Sequence, residues 1–340
     1  MGYKLSKTSF DRLLQAMSKR YVPVGPMCAK NAGAFSDTDS IRYGKITSYA
    51  DLELAQKSYF SPKEFVFPIR ETLFRFNGSN REVPEVAARP IAIFARPCDI
   101  NGFNRLDSVF LENGPEKDFY YARRRKNIKF FMIECLTGFE SCFCVTMKAN
   151  KTADYSVALR FGEDEILAEV KDEEFISLFE EYGEIIDYKP EFKESDNAKV
   201  ELPNFEGIDL EAAFNHPLWK EYTQRCIACG RCNTSCVTCS CFSMQDTAYD
   251  AAKTLSERRR VWAGCHIDGF TDMAGGHSFR KNNGDRMRFK TMHKIYDFAA
   301  RFGRNMCVGC GRCDDVCPEY ISFSACINKL SEIIKEMKNV

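Results

Sequence analysis

Eight cysteines fall into two runs of one spacing. Cys307, Cys310, Cys313 and Cys317, with Pro318 behind them, read C-x2-C-x2-C-x3-C-P. Cys226, Cys229, Cys232 and Cys236 repeat the spacing, with the same internal Cys-Gly-Arg-Cys. Such a run holds a [4Fe-4S] cluster. Three thiolates on a tight loop each reach a different iron, and small residues such as Gly309 and Gly311 let the backbone wrap close. The fourth cysteine, pushed onward, serves the other cluster when two runs are present. The expected sorting is therefore crossed. Cys226, Cys229 and Cys232 hold one cubane with Cys317, and Cys307, Cys310 and Cys313 hold the other with Cys236. Val237 replaces the proline after the first run, which leaves ligation intact. Structural zinc also uses C-x2-C pairs, but it takes four ligands in two pairs, and two complete runs exceed that need. The chemistry is one-electron transfer, and the two iron centres are bound through these cysteines.

A second group of thiols lies upstream. Cys98 and Cys135 each follow a short apolar run (Ile91 to Ala95 and Ile128 to Ile133), and Cys142 and Cys144 follow within one loop. If the runs are neighbouring parallel strands, all four thiols converge on one sheet edge. A third [4Fe-4S] cluster is expected there; C-x-C is an uncommon cubane spacing, and a zinc site of four cysteines or bare thiols are the alternatives. Cys239, Cys241 and Cys265 read as packing thiols, with contact to a cluster as the alternative, Cys28 as a buried one, and the four histidines, which show no metal spacing, as structural. The Arg123–Arg125 and Arg258–Arg260 runs read as solvated faces or docking patches. Residues 275–278 (Gly-Gly-His-Ser) follow no strand and lack a dinucleotide fingerprint, and no G-x-G-x-x-G occurs.

The elements that must carry these residues follow from periodicity. A helix is expected over residues 8–20 with Ser9 as its cap, then short strands at 21–26 and 41–46 and an extended segment at 65–68. Residues 91–95 and 128–133 with the helix between them, capped by Asp99 and running to Leu111, make a parallel βαβ unit whose strand ends face a crevice. A hairpin over 155–170 turns at Gly162, and an acidic helix runs to Tyr182. Helices are expected at 210–225, 248–260, 286–302 and 321–337, with Gly303 ending the third. The fold class is α+β. A mixed α/β domain (1–185) is joined by a linker (186–207) to an α-helical ferredoxin-type dicluster domain (208–340).

The 340 residues carry 48 Lys+Arg against 48 Asp+Glu. A chain without net charge is not built as a nucleic-acid or acidic-membrane binder. Seventeen cysteines in so long a chain point to thiols serving metal in a reducing cytoplasm rather than to a disulfide scaffold. No apolar run is long enough for membrane insertion, and no secretory h-region stands at the N-terminus.

Arg96-Pro97-Cys98-Asp99 and Ser141-Cys142-Phe143-Cys144, combined with the two runs, resemble the dicluster electron-transfer subunits of two enzymes. One enzyme is anaerobic sulfite reductase; the other is the cytosolic sulfhydrogenase, whose β subunit is of this kind. Cys239-Ser-Cys241 and Trp262-Ala-Gly-Cys265 also match, so the resemblance covers residues 65–322. Length and the short N-terminus favour the sulfite reductase component. The resemblance implies a heteromeric complex. A flavin-containing, NADH-binding subunit oxidises NADH, this chain relays single electrons without catalysing a reaction itself, and a sirohaem sulfite reductase subunit reduces sulfite to sulfide. The alternative is the β subunit of an NAD(P)-linked hydrogenase. A sirohaem pattern, C-x5-C with C-x3-C, is met by Cys226/Cys232 and Cys313/Cys317 only as arithmetic of the run spacing, without an Arg/Lys-rich pocket. An iron–sulfur sensor or assembly scaffold is the remaining reading; a regulator would carry a helix-turn-helix and a basic patch, and neither is visible.

Overall fold

The computed structural model describes residues 1–338 apart from 34, 36, 87, 88 and 253. In chain order, β1 (Gly2–Ser6) enters α1 (Lys7–Met17), and β2 (Val22–Ala29), β3 (Ser40–Lys45), β4 (Arg70–Asn77) and β5 (Asn80–Glu82) follow. Next come β6 (Ile91–Ala95), α2 (Pro97–Phe110), α3 (Phe119–Arg125) and β7 (Ile128–Ile133). The hairpin β8 (Val157–Phe161) and β9 (Glu165–Val170), α4 (Glu173–Tyr182) and β10 (Glu184–Ile186) complete the first half. Eight strands form one sheet in the order β10-β1-β9-β8-β7-β6-β2-β3. Its centre is parallel: β6 pairs in parallel with β2 and β7, and β7 with β8. The βαβ expectation therefore holds, and the chain leaves β6 and β7 at the same edge.

Each face of this sheet is covered differently. On one side Phe10, Leu13, Leu14 and Met17, spaced for one face of α1, join Phe175 and Phe179 of α4 over Phe94, Phe131 and Leu159. On the other side α2 and α3 separate the sheet from the cysteine-rich half, and one continuous core runs from Ile93 and Phe130 through Phe103 and Leu106 to Val237, Cys307 and Ile327. α2 is buried on both flanks for this reason. Arg105 donates from Nε to the Asn305 carbonyl (3.3 Å), and Arg304 donates to Asn104 O (3.0 Å).

The second half contains α5 (Leu210–Asn215), α6 (Leu218–Arg225), α7 (Arg231–Thr234), β11 (Phe242–Ala248), β12 (Leu255–Trp262) and a short ribbon of β13 (Asp272–Met273) and β14 (His277–Ser278). α8 (Asn283–Met292) continues through one π turn into α9 (Phe298–Phe302), and α10 (Arg312–Asp315) and α11 (Phe323–Lys338) close the chain. Gly303 ends α9 in the left-handed region (φ 70°), as expected.

Several expectations are corrected. The described residues of 248–260 form no helix: β11 and β12 pair antiparallel and join β4 and β5 in a second sheet, so the cysteine-rich half is not purely helical. The stretch 210–225 is two helices, because Pro217 lacks an N–H and holds His216 extended (ψ 140°). Ser6 rather than Ser9 caps α1, its side chain accepting from Ser9 N at 3.1 Å. Residues 65–68 are not extended; Pro62–Phe65 make a 3-10 turn that Pro62 presets, and Phe67 then stacks on Trp262. Cys28 is half-buried, donating to Asp39 at 3.4 Å. The arginine runs face inward as much as outward. Arg123 and Arg124 both bind Glu71, Arg125 binds Asp107, and Arg260, 2% exposed, bridges Glu71 and Asp118.

Residues 187–209 carry no helix or strand among them, yet they are not a free tether. Phe192, Ala198, Val200, Leu202 and Phe205 pack on the shared core, and Lys193 is buried. This strap reaches back to the 141–146 loop.

Candidate metal centre

α6 delivers the chain into the first run. Cys226 caps that helix with its N–H bonded to Tyr222 O, and the loop then turns through Ala228 (φ 56°) and Gly230 (φ 72°). These left-handed residues fold Cys226, Cys229 and Cys232 around a small cavity of about 30 Å³, and Cys313 and Cys317 of the second run stand in its wall beside Met287, Lys290 and His266. Backbone N–H groups already point at sulfur: Ala228 N lies 3.4 Å from Cys226 Sγ and Ile321 N 3.3 Å from Cys317 Sγ. Cys229 is exposed, so this cavity lies at the surface. Among the described residues no three His, Cys, Asp or Glu side chains close on a single metal ion. The thiols stand around an apolar space, and their donor set is that of a cluster of several irons with thiolate ligands.

The second run is more enclosed. Cys307 and Cys310 are buried, and Gly309 N lies 3.4 Å from Cys307 Sγ. Burial pushes the Cys307 thiol up to about 12, with Lys294 opposing and Cys236 and Cys310 adding to it. Cys236 also acts on Cys310 and Cys313, so the fourth cysteine of the first run sits among the thiols of the second. Its own thiol is held well below the usual range, first by a hydrogen bond from Cys239 and then by Lys294 and Thr238. Lys294 Nζ reaches Cys236 Sγ at 3.5 Å and Thr238 Oγ1 at 2.8 Å.

Three ammonium groups are buried around these thiols: Lys63, Lys290 and Lys294, each at most 3% exposed. Among the described residues no carboxylate pairs with any of them. Lys63 donates to Cys239 O (2.9 Å) and Asn233 O and lies over the Trp262 ring. A buried cation without a counter-charge is costly, and cluster-bound thiolates would be the nearby anions. Burial depresses Lys63; it acts the same way on Lys290, but Cys232, Cys313, Cys239 and Cys236 together hold that ammonium well above its usual range. No local pattern announces these lysines, since lysine is ordinarily a surface residue.

The upstream thiols lie against the second run. Phe143 N donates to Gly309 O at 2.8 Å, and Cys142 Sγ lies 3.6 Å from Cys310 O. Glycine is required here: Gly309 (φ 65°) and Gly311 (φ 72°) are left-handed, and a Cβ on either would collide with the backbone of Phe143 or Ser141. Burial pushes Cys144 up to about 12, with Cys142 and Cys135 adding. Desolvation raises the Cys98 thiol likewise, with Asp99, Cys310 and Cys144 adding. Cys98, Cys135, Cys142 and Cys144 therefore form a neighbourhood at the shared edge of β6 and β7. Asp196 holds that loop by accepting from Val145 N (2.8 Å) and Thr146 N (2.7 Å).

Asp99 does not cap α2; Arg96 occupies the cap position. The fully buried Asp99 carboxylate is gripped on both oxygens by Arg312 (2.5 and 2.8 Å) and receives the Tyr43 hydroxyl (3.0 Å). Arg312 is the arginine of the second Cys-Gly-Arg-Cys, so this ion pair ties the second run to the β6–α2 corner. Arg231, its equivalent in the first run, is exposed.

Two like-spaced cysteine runs fold against each other around buried cations, and residues 225–321, which hold both, match the family described as 4Fe-4S dicluster domain. Over 315 residues the chain is 32% identical to the sulfhydrogenase 2 subunit beta of Pyrococcus furiosus, covering 88% of this chain and 92% of that one. The chain belongs to the sulfhydrogenase β-subunit family, and it is an iron–sulfur electron-transfer subunit. No helix among the described residues is long and apolar enough to cross a membrane.

Proposed function

We propose that this chain is the electron relay of a heteromeric cytoplasmic oxidoreductase, standing between a flavoprotein that oxidises NADH and a terminal reductase subunit. The observation that carries the reading is the cavity that brings Cys226, Cys229 and Cys232 together with Cys317 from a run about ninety residues away. Cys307, Cys310, Cys313 and Cys236 form the second ligand set, and Cys98, Cys135, Cys142 and Cys144 a third. When bound, [4Fe-4S] clusters supply one-electron transfer at potentials of roughly −700 to +450 mV for the class. The protein's part is to hold each set rigidly, to aim N–H groups at sulfur, and to place Lys290 and Lys294 where negative charge gathers. The bond from Phe143 to Gly309 keeps the third set against the second, so the path is continuous from the sheet edge to the exposed Cys229.

A relative of near-equal length supports a terminal subunit of hydrogenase type. The 96–99 and 141–144 motifs resemble the subunits of both enzymes, and a sulfite reductase assembly would need the same electron path. Purification of the intact complex without oxygen separates them. Nickel in the co-purifying catalytic subunit supports the hydrogenase assembly, and sirohaem the sulfite reductase. A chain that purifies alone under every condition, or with partners that hold no redox centre, overturns the relay reading.

A further inference from the structure

The polar side chain that ligation leaves unexplained is His266. It is 1% exposed and lines the cavity that also presents Cys226, Cys229, Cys232 and Cys317. Its Nε2 is buried with no hydrogen-bond partner. The rest of the residue is held on the opposite side. Nδ1 stands 3.6 Å from Cys265 Sγ, and the backbone N–H donates to Asn233 Oδ1 at 3.3 Å. Asn233 Nδ2 in turn donates to Cys265 Sγ (3.3 Å) and Cys239 Sγ (3.5 Å). With Nδ1 turned to Cys265, Nε2 is the nitrogen left for the cavity wall.

Cys265 offers Nδ1 an S–H at 3.6 Å, and burial, with Cys241 adding, pushes that thiol up to about 11. Burial and the neighbouring Lys290, Arg286 and Lys294 hold the imidazole well below its usual range. A neutral ring that accepts at Nδ1 carries its hydrogen on Nε2. A buried N–H without an acceptor destabilises the fold, and the sulfur atoms of a group filling this cavity would be the acceptors.

We propose that His266 Nε2–H donates a hydrogen bond to a sulfur of the cluster held by the first cysteine run, and so raises that cluster's reduction potential. This rests on the ligand assignment proposed above. Reduction adds negative charge to the sulfurs, and a donor aimed at them favours the reduced state. His266 is a positioning and tuning residue, not a ligand; Cys265 and Asn233 fix its orientation.

The test is an EPR-monitored redox titration of the anaerobically purified full chain and its His266→Phe variant, with iron counted in both. The first-run cluster of the variant should be about tenfold harder to reduce, a downward shift of about 59 mV for one electron, while the other clusters keep their potentials. His266→Gln, which restores an N–H donor, should recover part of the shift. Wild-type protein containing 15N-histidine provides a reading independent of any variant: pulsed EPR of the reduced first-run cluster should show coupling to a histidine nitrogen. A full iron complement with an unchanged potential in the Phe variant overturns the proposal, as does absence of histidine coupling in the wild type. Failure of the ligand assignment shows separately, as wild-type protein that lacks the first-run signal altogether.

Discussion

At the level of single residues, Asp99 and Arg312 explain why two distant motifs occur in one chain. The aspartate of Arg-Pro-Cys-Asp and the arginine of the second Cys-Gly-Arg-Cys are one buried ion pair, 0% and 2% exposed, with Ser58 and Tyr43 satisfying the remaining hydrogen bonds. Removing one partner of such a pair strands a charge. Arg312→Met is expected to cost roughly 3–5 kcal/mol, measured by urea unfolding of the anaerobic holoprotein. The Asp99→Asn/Arg312→Met double variant should cost less than the sum of the single changes, because the two residues act as one interaction. The cysteine spacing is legible without a structure because a cluster imposes it through covalent geometry. The pairing of Asp99 with Arg312 is not, since two charged residues 213 positions apart give no local pattern.

At the level of elements, the clearest departure is β12. Its inward residues are Glu257 and Arg260, spaced by three because the register shifts between Arg258 and Arg259. That bulge imitates helical spacing, and the buried face carries paired ions rather than apolar residues, so neither period nor hydropathy announces a strand. By contrast α1, β6, β7 and the β8–β9 hairpin, whose buried faces are apolar, are readable from periodicity. The strap at 187–209 reads as a linker because its contacts are made by backbone groups and isolated side chains. Asp196 is its strongest hold on the 141–146 loop, with Asn197 N and Ala198 N each adding a bond to Cys142 O at 3.0 Å. Asp196→Ala should loosen this loop and lower iron from about twelve to about eight per chain, four being lost with one [4Fe-4S] cluster; elemental analysis checks it. Gly309→Ala should act from the other side of the same contact, because its Cβ would strike the Phe143 carbonyl and its φ of 65° resists a side chain. The expected outcome is loss of the second-run EPR signal with the first retained.

At the level of the molecule, a shared core runs from the large sheet through α2 to the cysteine loops, so the three thiol sets are held in one packed body. Cys142 lies against Cys310, Cys236 sits among Cys307, Cys310 and Cys313, and Cys317 stands in the cavity with Cys229, which is exposed. In the proposed relay such a body would be a path with one end at the surface, and the sequence carries no G-x-G-x-x-G. The chain freed of its partners should therefore take up electrons from dithionite yet show no steady NADH oxidation; an absorbance assay at catalytic protein concentration checks this. About twelve irons and no zinc per chain should be found, and the Cys142→Ser/Cys144→Ser double variant should retain about eight. The central claim, that electrons pass through this chain, is tested most directly by rapid-freeze EPR of the intact complex mixed with NADH. Reduced [4Fe-4S] signals of this chain should appear before product accumulates and decay when the terminal acceptor is added. Clusters that stay oxidised while the complex turns over would contradict it.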